Sequence, residues 1–223
     1  MLVSEAVAHR ISVRAFKPHA PPADLVAGLI EKAARAPSGG NLQPWRVYAL
    51  TGAPLQSLLV DVAAVITERP RTEAPEYDVY PKDLWDPYRT RRFQAGEDLY
   101  ATLGIERENK TGRLAQFANN FRLFGAPVGL FFTLDRRMGS PQWSDLGMYM
   151  QTLMLLAVEA GLDTCAQEAW CQFPKTLARH LELGAHEMVF SGMALGYRDE
   201  AHPINSLRTR REALGEFATF KGF

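Results

Sequence analysis

Apolar residues recur along this chain with helical and strand periods in alternation. Leu25, Val26, Leu29, Ile30, Ala33 and Ala34 fall at helical spacing. They predict a helix opened by Pro21 and Pro22 in its first turn, where missing N–H groups cost little. A shorter helix precedes it, capped by Ser4, running through Val7 and Ala8 and ending before Ile11. Residues 45–50 read as a strand. Pro54 begins a third helix, with Leu55, Leu58, Leu59, Val62 and Ile66 on one face. Residues 127–134 are apolar without a break, which predicts a central strand covered on both faces. Ser140 and Pro141 open a core helix to Ala160, closed by Gly161. A short strand and turn over 161–170, a short helix over 173–183 and a last strand over 188–197 complete the main body.

Further helices are predicted over 88–103 and 107–124, the second closed by Gly125. Phe117, Phe121 and Phe124 form a stripe on it, a core face first and a pocket wall second. Arg89, Arg91 and Arg92 make either a solvated face or a contact to a phosphate-bearing nicotinamide cofactor. Between the helices, residues 68–87 are proline-rich and charged, a long surface excursion that is either a lid or a variable loop. The tail from 198 starts polar and ends in Phe217, Phe220 and Phe223.

Helices and strands in this order predict an α/β or α+β layered fold. No Gly-x-Gly-x-x-Gly follows a strand, so a Rossmann-type dinucleotide fold is not supported. A chain of 223 residues buries a sizeable core as one domain, here 1–223, and no repeat or linker divides it. Lys plus Arg and Asp plus Glu balance at 25 each, leaving no basic field for nucleic acid. Two cysteines are too few for a disulfide framework and fit a reducing cytoplasm. The five histidines are scattered and no metal site is expected. The N-terminus lacks the pattern of a signal peptide, and the apolar run over 148–162 is too short and polar to span a membrane.

The densest chemistry lies at Ala36-Pro37-Ser38-Gly39-Gly40-Asn41-Leu42-Gln43-Pro44-Trp45-Arg46, a helix-to-strand loop. Two glycines allow a tight turn and close approach to the backbone, beside the polar groups of Ser38, Asn41 and Gln43. Upstream, His9-Arg10-Ile11-Ser12-Val13-Arg14-Ala15-Phe16 sets two guanidiniums and a hydroxyl on one side of an extended segment, which suits a phosphate. Arg-x-Ser-x-Arg-x-Phe followed by Pro-Ser-Gly-Gly-Asn-Leu-Gln-Pro-Trp resembles the FMN-dependent nitroreductase family, and the similarity covers the whole chain.

The resemblance implies an α+β three-layer sandwich: a mixed, mostly antiparallel sheet flanked by helices, in an intertwined homodimer whose tails (199–223) embrace the partner. It implies FMN at the dimer interface. Arg10, Ser12 and Arg14, with Ile11 and Val13 in the same block, would hold the phosphate and ribityl chain. Pro37, Ser38, Gly39, Asn41 and Gln43 would come from the other subunit. The backbone of Gln167, Glu168 and Ala169 would run along the ring, with a main-chain N–H of Glu168 or Ala169 near N5. Arg208 would close on the phosphate, with Arg210 or Arg211 as a second. Phe124, Trp143 and Tyr88 are the candidates for the acceptor pocket. The asparagine and lysine that many members carry after the third helix do not align here, so NADH or NADPH remains open as the donor. The function implied is NAD(P)H-dependent reduction of nitroaromatic or quinone-like acceptors by two-electron hydride transfer, with no side-chain general acid evident. The alternatives are a reductive dehalogenase of the same superfamily and a flavin-storing or flavin-sensing protein.

Overall fold

A computed structural model describes residues 1–68 and 72–223. Among these residues, four strands form one antiparallel sheet in the order β1-β2-β4-β3. They are β1 Arg46–Thr51, β2 Val128–Asp135, β3 Asp163–Gln167 and β4 Glu187–Gly196. The one parallel contact is the isolated bridge Ser12–Thr164 beside β3. Seven α-helices surround the sheet: α1 Val3–His9, α2 Ala23–Ala33, α3 Gly52–Thr67, α4 Tyr88–Thr102, α5 Lys110–Ala118, α6 Ser140–Glu159 and α7 Pro174–Leu181.

β2 and β4 lie centrally, and the unbroken apolar run of β2 is buried on both faces, as its sequence predicts. Phe131 enters a cluster with Leu55, Leu58, Val62, Trp170 and Leu177. Leu130 and Phe132, the alternate positions, enter the opposite cluster with Val26, Leu29, Leu146, Tyr149 and Leu153. The three layers are therefore α3 and α7, the sheet, and α2 and α6. The β2–β4 register skips Phe190 at a bulge, and the freed Phe190 carbonyl accepts the Tyr77 hydroxyl.

Local signals place most boundaries. α6 buries Leu146, Tyr149, Met150, Leu153 and Ala157 at helical spacing. It ends at Gly161, whose φ of 75° is left-handed, with Gly161 N–H donating to Val158 O (3.0 Å) and Leu162 N–H to Ala157 O (2.8 Å). Three expectations change. Ser4 lies inside α1, which begins at Val3; Leu2 takes the cap position and the Glu5 carboxylate accepts its N–H at 2.7 Å. Pro21 and Pro22 precede α2 instead of lying in its first turn. The helix expected over 107–124 runs only through Lys110–Ala118. It gives way to a 3-10 segment, Asn119–Gly125, in which Leu123 and Phe124 have φ of 50° and 54°. In a continuous helix Leu123 would point about 200° away from Phe121. The left-handed turn instead buries Phe121, Leu123 and Phe124 together and leaves Phe117 exposed.

The excursion between α3 and α4 has no helix or strand where it is described, and 69–71 of it lie outside the described residues. Among the described residues no helix is long and apolar enough to cross a membrane, and no cluster of side chains could hold a metal ion.

Candidate functional site

Alternation within residues 10–14 sends Val13 into the core while Arg10, Ser12 and Arg14 stay half-buried at the surface. The segment docks on the edge strand β3, where Val13 N–H donates to Thr164 O at 3.0 Å. From the far end of the chain, buried Asn205 holds it in place. Its Oδ1 accepts Arg14 N–H (2.9 Å), and its Nδ2 donates to Ala15 O and Asp199 O (2.9 Å each). Asn205 sits in the 3-10 turn Pro203–Ser206, so the same contact delivers the following arginines to the same place.

The result is a cleft of about 510 Å³ that includes Arg10, Ser12, Arg14, Gln151, Arg208 and Arg211 in its walls. None of its four arginines has a carboxylate partner among the described residues. Arg14 donates to Ser12 O (3.1 Å), Arg208 to Asn205 O (3.0 Å), and Arg211 to Thr209 Oγ1 (2.7 Å) and nearby carbonyls. Four guanidiniums, three of them held by neutral oxygens and none by a carboxylate, leave a concentrated, uncompensated positive charge, the donor set of a phosphate site. Arg210, the alternative to Arg211, is not in this cleft's walls and reaches Asp98 on α4 at 3.5 Å.

β3 ties this cleft to the next expected group. Three residues beyond Thr164, roughly 10 Å along a strand, come Gln167, Glu168 and Ala169. β3 is an edge of the sheet, so its outer main-chain groups face away from β4. The Gln167 side chain turns inward, donating to Asn120 O (2.7 Å) and accepting from Trp170 Nε1 (3.4 Å).

The 37–43 loop lies elsewhere. It packs near the start of α6, with Gly39 N–H donating to Asp145 Oδ2 at 3.2 Å. Asp145 and Gln151 are separated by six helical positions, about 9 Å along the axis and 240° around it. The loop is not part of the arginine cleft's walls. Within it, Gly40, Asn41 and Gln43 all have positive φ (58°, 58° and 49°), and Ser38 Oγ accepts Gln43 N–H at 3.0 Å. Of the three expected acceptor contacts, Phe124 is buried in the core below Arg14, and Trp143 packs edge-on against Tyr77 and Phe190. Tyr88, at the start of α4, presents its ring to solvent.

The model of the "Nitroreductase family" matches residues 7–197, from the start of the arginine segment to the end of the last strand. The chain belongs to this family. It is 38% identical to a 4-nitrobenzoate reductase of Pseudomonas putida, over 97% of this chain and 94% of that protein. It is 34% identical to a nitrobenzene nitroreductase of Ectopseudomonas oleovorans, over 98% and 96%. Among solved structures, the FMN and NADPH-dependent nitroreductase NfnB from Sphigopyxis sp. strain HMH matches all of both chains at 48% identity and a TM-score of 0.97. The family match stops at 197, before Asn205, Arg208 and Arg211. Those residues join the cleft through the Asn205 contacts, a link of 190 residues or more that sequence spacing does not reveal. Gln151 of α6 also lines the cleft and was not among the expected residues; its signal is a polar position, beside Thr152, in the apolar run over 148–162.

Proposed function

We propose that this chain is an FMN-dependent NAD(P)H oxidoreductase that reduces nitroaromatic acceptors and works as a homodimer. The observation that carries the reading is the convergence of Arg10, Arg14, Arg208 and Arg211, free of carboxylates, on one cleft beside the edge strand β3. FMN ends in a phosphate of nearly two negative charges, and bidentate guanidiniums match it. Ser12 would add a hydroxyl, and the main chain at Ile11 and Val13 fixes the spacing of the three side chains. The outer edge of Gln167, Glu168 and Ala169 would take the ring, with main-chain groups that need no side-chain reorganisation.

Pro37, Ser38, Gly39, Asn41 and Gln43 stand on a different face of α6, so one chain offers two separate halves of a pocket. A second copy would bring the loop of one subunit over the cleft of the other. Asn41 and Gln43 then supply amides that both donate and accept at the ring's polar edge. When bound, the flavin supplies the transfer of a hydride from the nicotinamide and of two electrons to the acceptor. Tyr88 would help to form the acceptor surface. The similarity to reductases of 4-nitrobenzoate and nitrobenzene favours nitroaromatics over quinones or halophenols.

Anaerobic oxidation of the reduced protein by a panel of nitroaromatics, quinones and halophenols tests the reading. Nitroaromatics should be consumed fastest, with NADPH or NADH as donor. Protein that takes up no FMN, or that turns over halophenols faster than nitro compounds, would reject it.

A further inference from the structure

We infer that Asp145 is a positioning residue for flavin binding: from the core helix α6 it holds the 38–43 loop in the shape that presents Asn41 and Gln43. The inference rests on the FMN reading above and names a residue outside both expected half-sites. Asp145 is 5% exposed, and no lysine, arginine or histidine pairs with it among the described residues. Its hydrogen bond there is the one accepted from Gly39 N–H, at 3.2 Å. A buried carboxylate without a counter-ion is expensive. It is also the sixth residue of α6, beyond the first turn where the helix dipole would favour it. The loop amide is thus the group this carboxylate serves.

The loop needs such an anchor. Asn41 and Gln43 both adopt left-handed backbone, which is unfavourable for residues with a Cβ and persists only where the surroundings enforce it. The Ser38 Oγ contact to Gln43 N–H and the Gln43 Nε2 contact to Asn41 O (3.2 Å) close the loop on itself without attaching it to the body. Attachment comes from Asp145 at the loop's start and from Trp45, stacked on Tyr149 of the same helix at 5.0 Å, at its end. α6 thereby fixes both ends of the segment. Asn41 and Gln43, whose side chains make no hydrogen bond to the body among the described residues, are left exposed.

Amide exchange across 36–45, together with FMN and riboflavin titrations of the full chain, tests this. Asp145→Ala should speed exchange in the loop and weaken FMN and riboflavin alike, by about tenfold, the loss of one hydrogen bond. Asp145→Asn keeps an oxygen that accepts from Gly39 and should stay close to wild type in both readouts. If Asp145→Ala does not fold, Gly39→Pro removes the same bond from the loop side and should lose both ligands equally. Unchanged loop exchange in Asp145→Ala, or equal losses in the alanine and asparagine variants, would overturn the proposal. So would a loss confined to FMN, because it would place the effect at the phosphate. A wild-type chain that binds neither flavin rejects the FMN reading and the flavin role with it; the exchange comparison then still decides whether Asp145 holds the loop.

Discussion

Arg14, Arg208 and Arg211 donate to neutral oxygens, and none of these or Arg10 pairs with a carboxylate among the described residues, so each keeps charge to offer a ligand. On the FMN reading this makes a specific demand. Arg10→Ala and Arg208→Ala should each weaken FMN by roughly 1.5–3 kcal/mol, the value of a charge-assisted contact. Riboflavin, which has no phosphate, should bind as before. Flavin fluorescence titrations measure both, and equal losses for the two ligands would mean that these arginines act on the fold or the ring. The first pair of arginines was legible because alternation in an extended segment sets residues 10, 12 and 14 on one side whatever surrounds them. Asn205 was not legible. An asparagine in a polar tail has many local partners, and only the folded chain shows that its amide spans Arg14, Ala15 and Asp199.

Helices and strands with a single clean period were readable: α2, α6, β2 and β4 stand where their apolar positions put them. The 119–125 segment was not, because three large apolar residues within four positions fit a helix and a left-handed turn equally well until burial chooses. Element packing also explains Gly192, in the middle of β4 opposite Phe131. The Trp170 indole lies against its backbone, and a Cβ there would come within 2.7 Å of Trp170 Cγ. Trp170 is fully buried among Phe121, Phe131 and Phe173 and has no room to retreat. Gly192→Ala should therefore destabilise the fold by about 1–3 kcal/mol, as overpacked cores do. Urea unfolding gives the value, and an unchanged midpoint would mean that the tryptophan shifts freely.

At the scale of the molecule, the tail does two things. Residues 208–212 stay with their own chain, where Arg91 of α4 pairs with Glu212 at 2.8 Å. Beyond them Phe217, Phe220 and Phe223 are 71%, 62% and 104% exposed, an apolar end with nothing to cover it in one chain. On the proposed dimer a second copy covers it, and burial contributes about 1.5–3 kcal/mol for each ring. Removing 213–223 keeps every arginine of the cleft. It should shift sedimentation equilibrium towards monomer and weaken FMN in step, because each pocket then loses the partner's loop. A truncated protein that stays dimeric and fully flavin-loaded would separate the tail from assembly.

The sequence by itself determined the periodic helices, the buried central strand, the arginine–serine–arginine face and the glycine-rich loop. Each depends on neighbours within a few residues, where backbone geometry alone fixes which side chains share a side. Tertiary structure decided which distant pieces meet. It placed Arg208 and Arg211 in the cleft of Arg10 and Arg14, set Gln167–Ala169 on the same edge strand, and put the 37–43 loop on another face of α6 under Asp145. It also sent Phe124 into the core and left Phe117 outside. Those outcomes follow from closing contacts across a hundred residues or more, and the energy that selects among them is burial and hydrogen bonding in the finished fold.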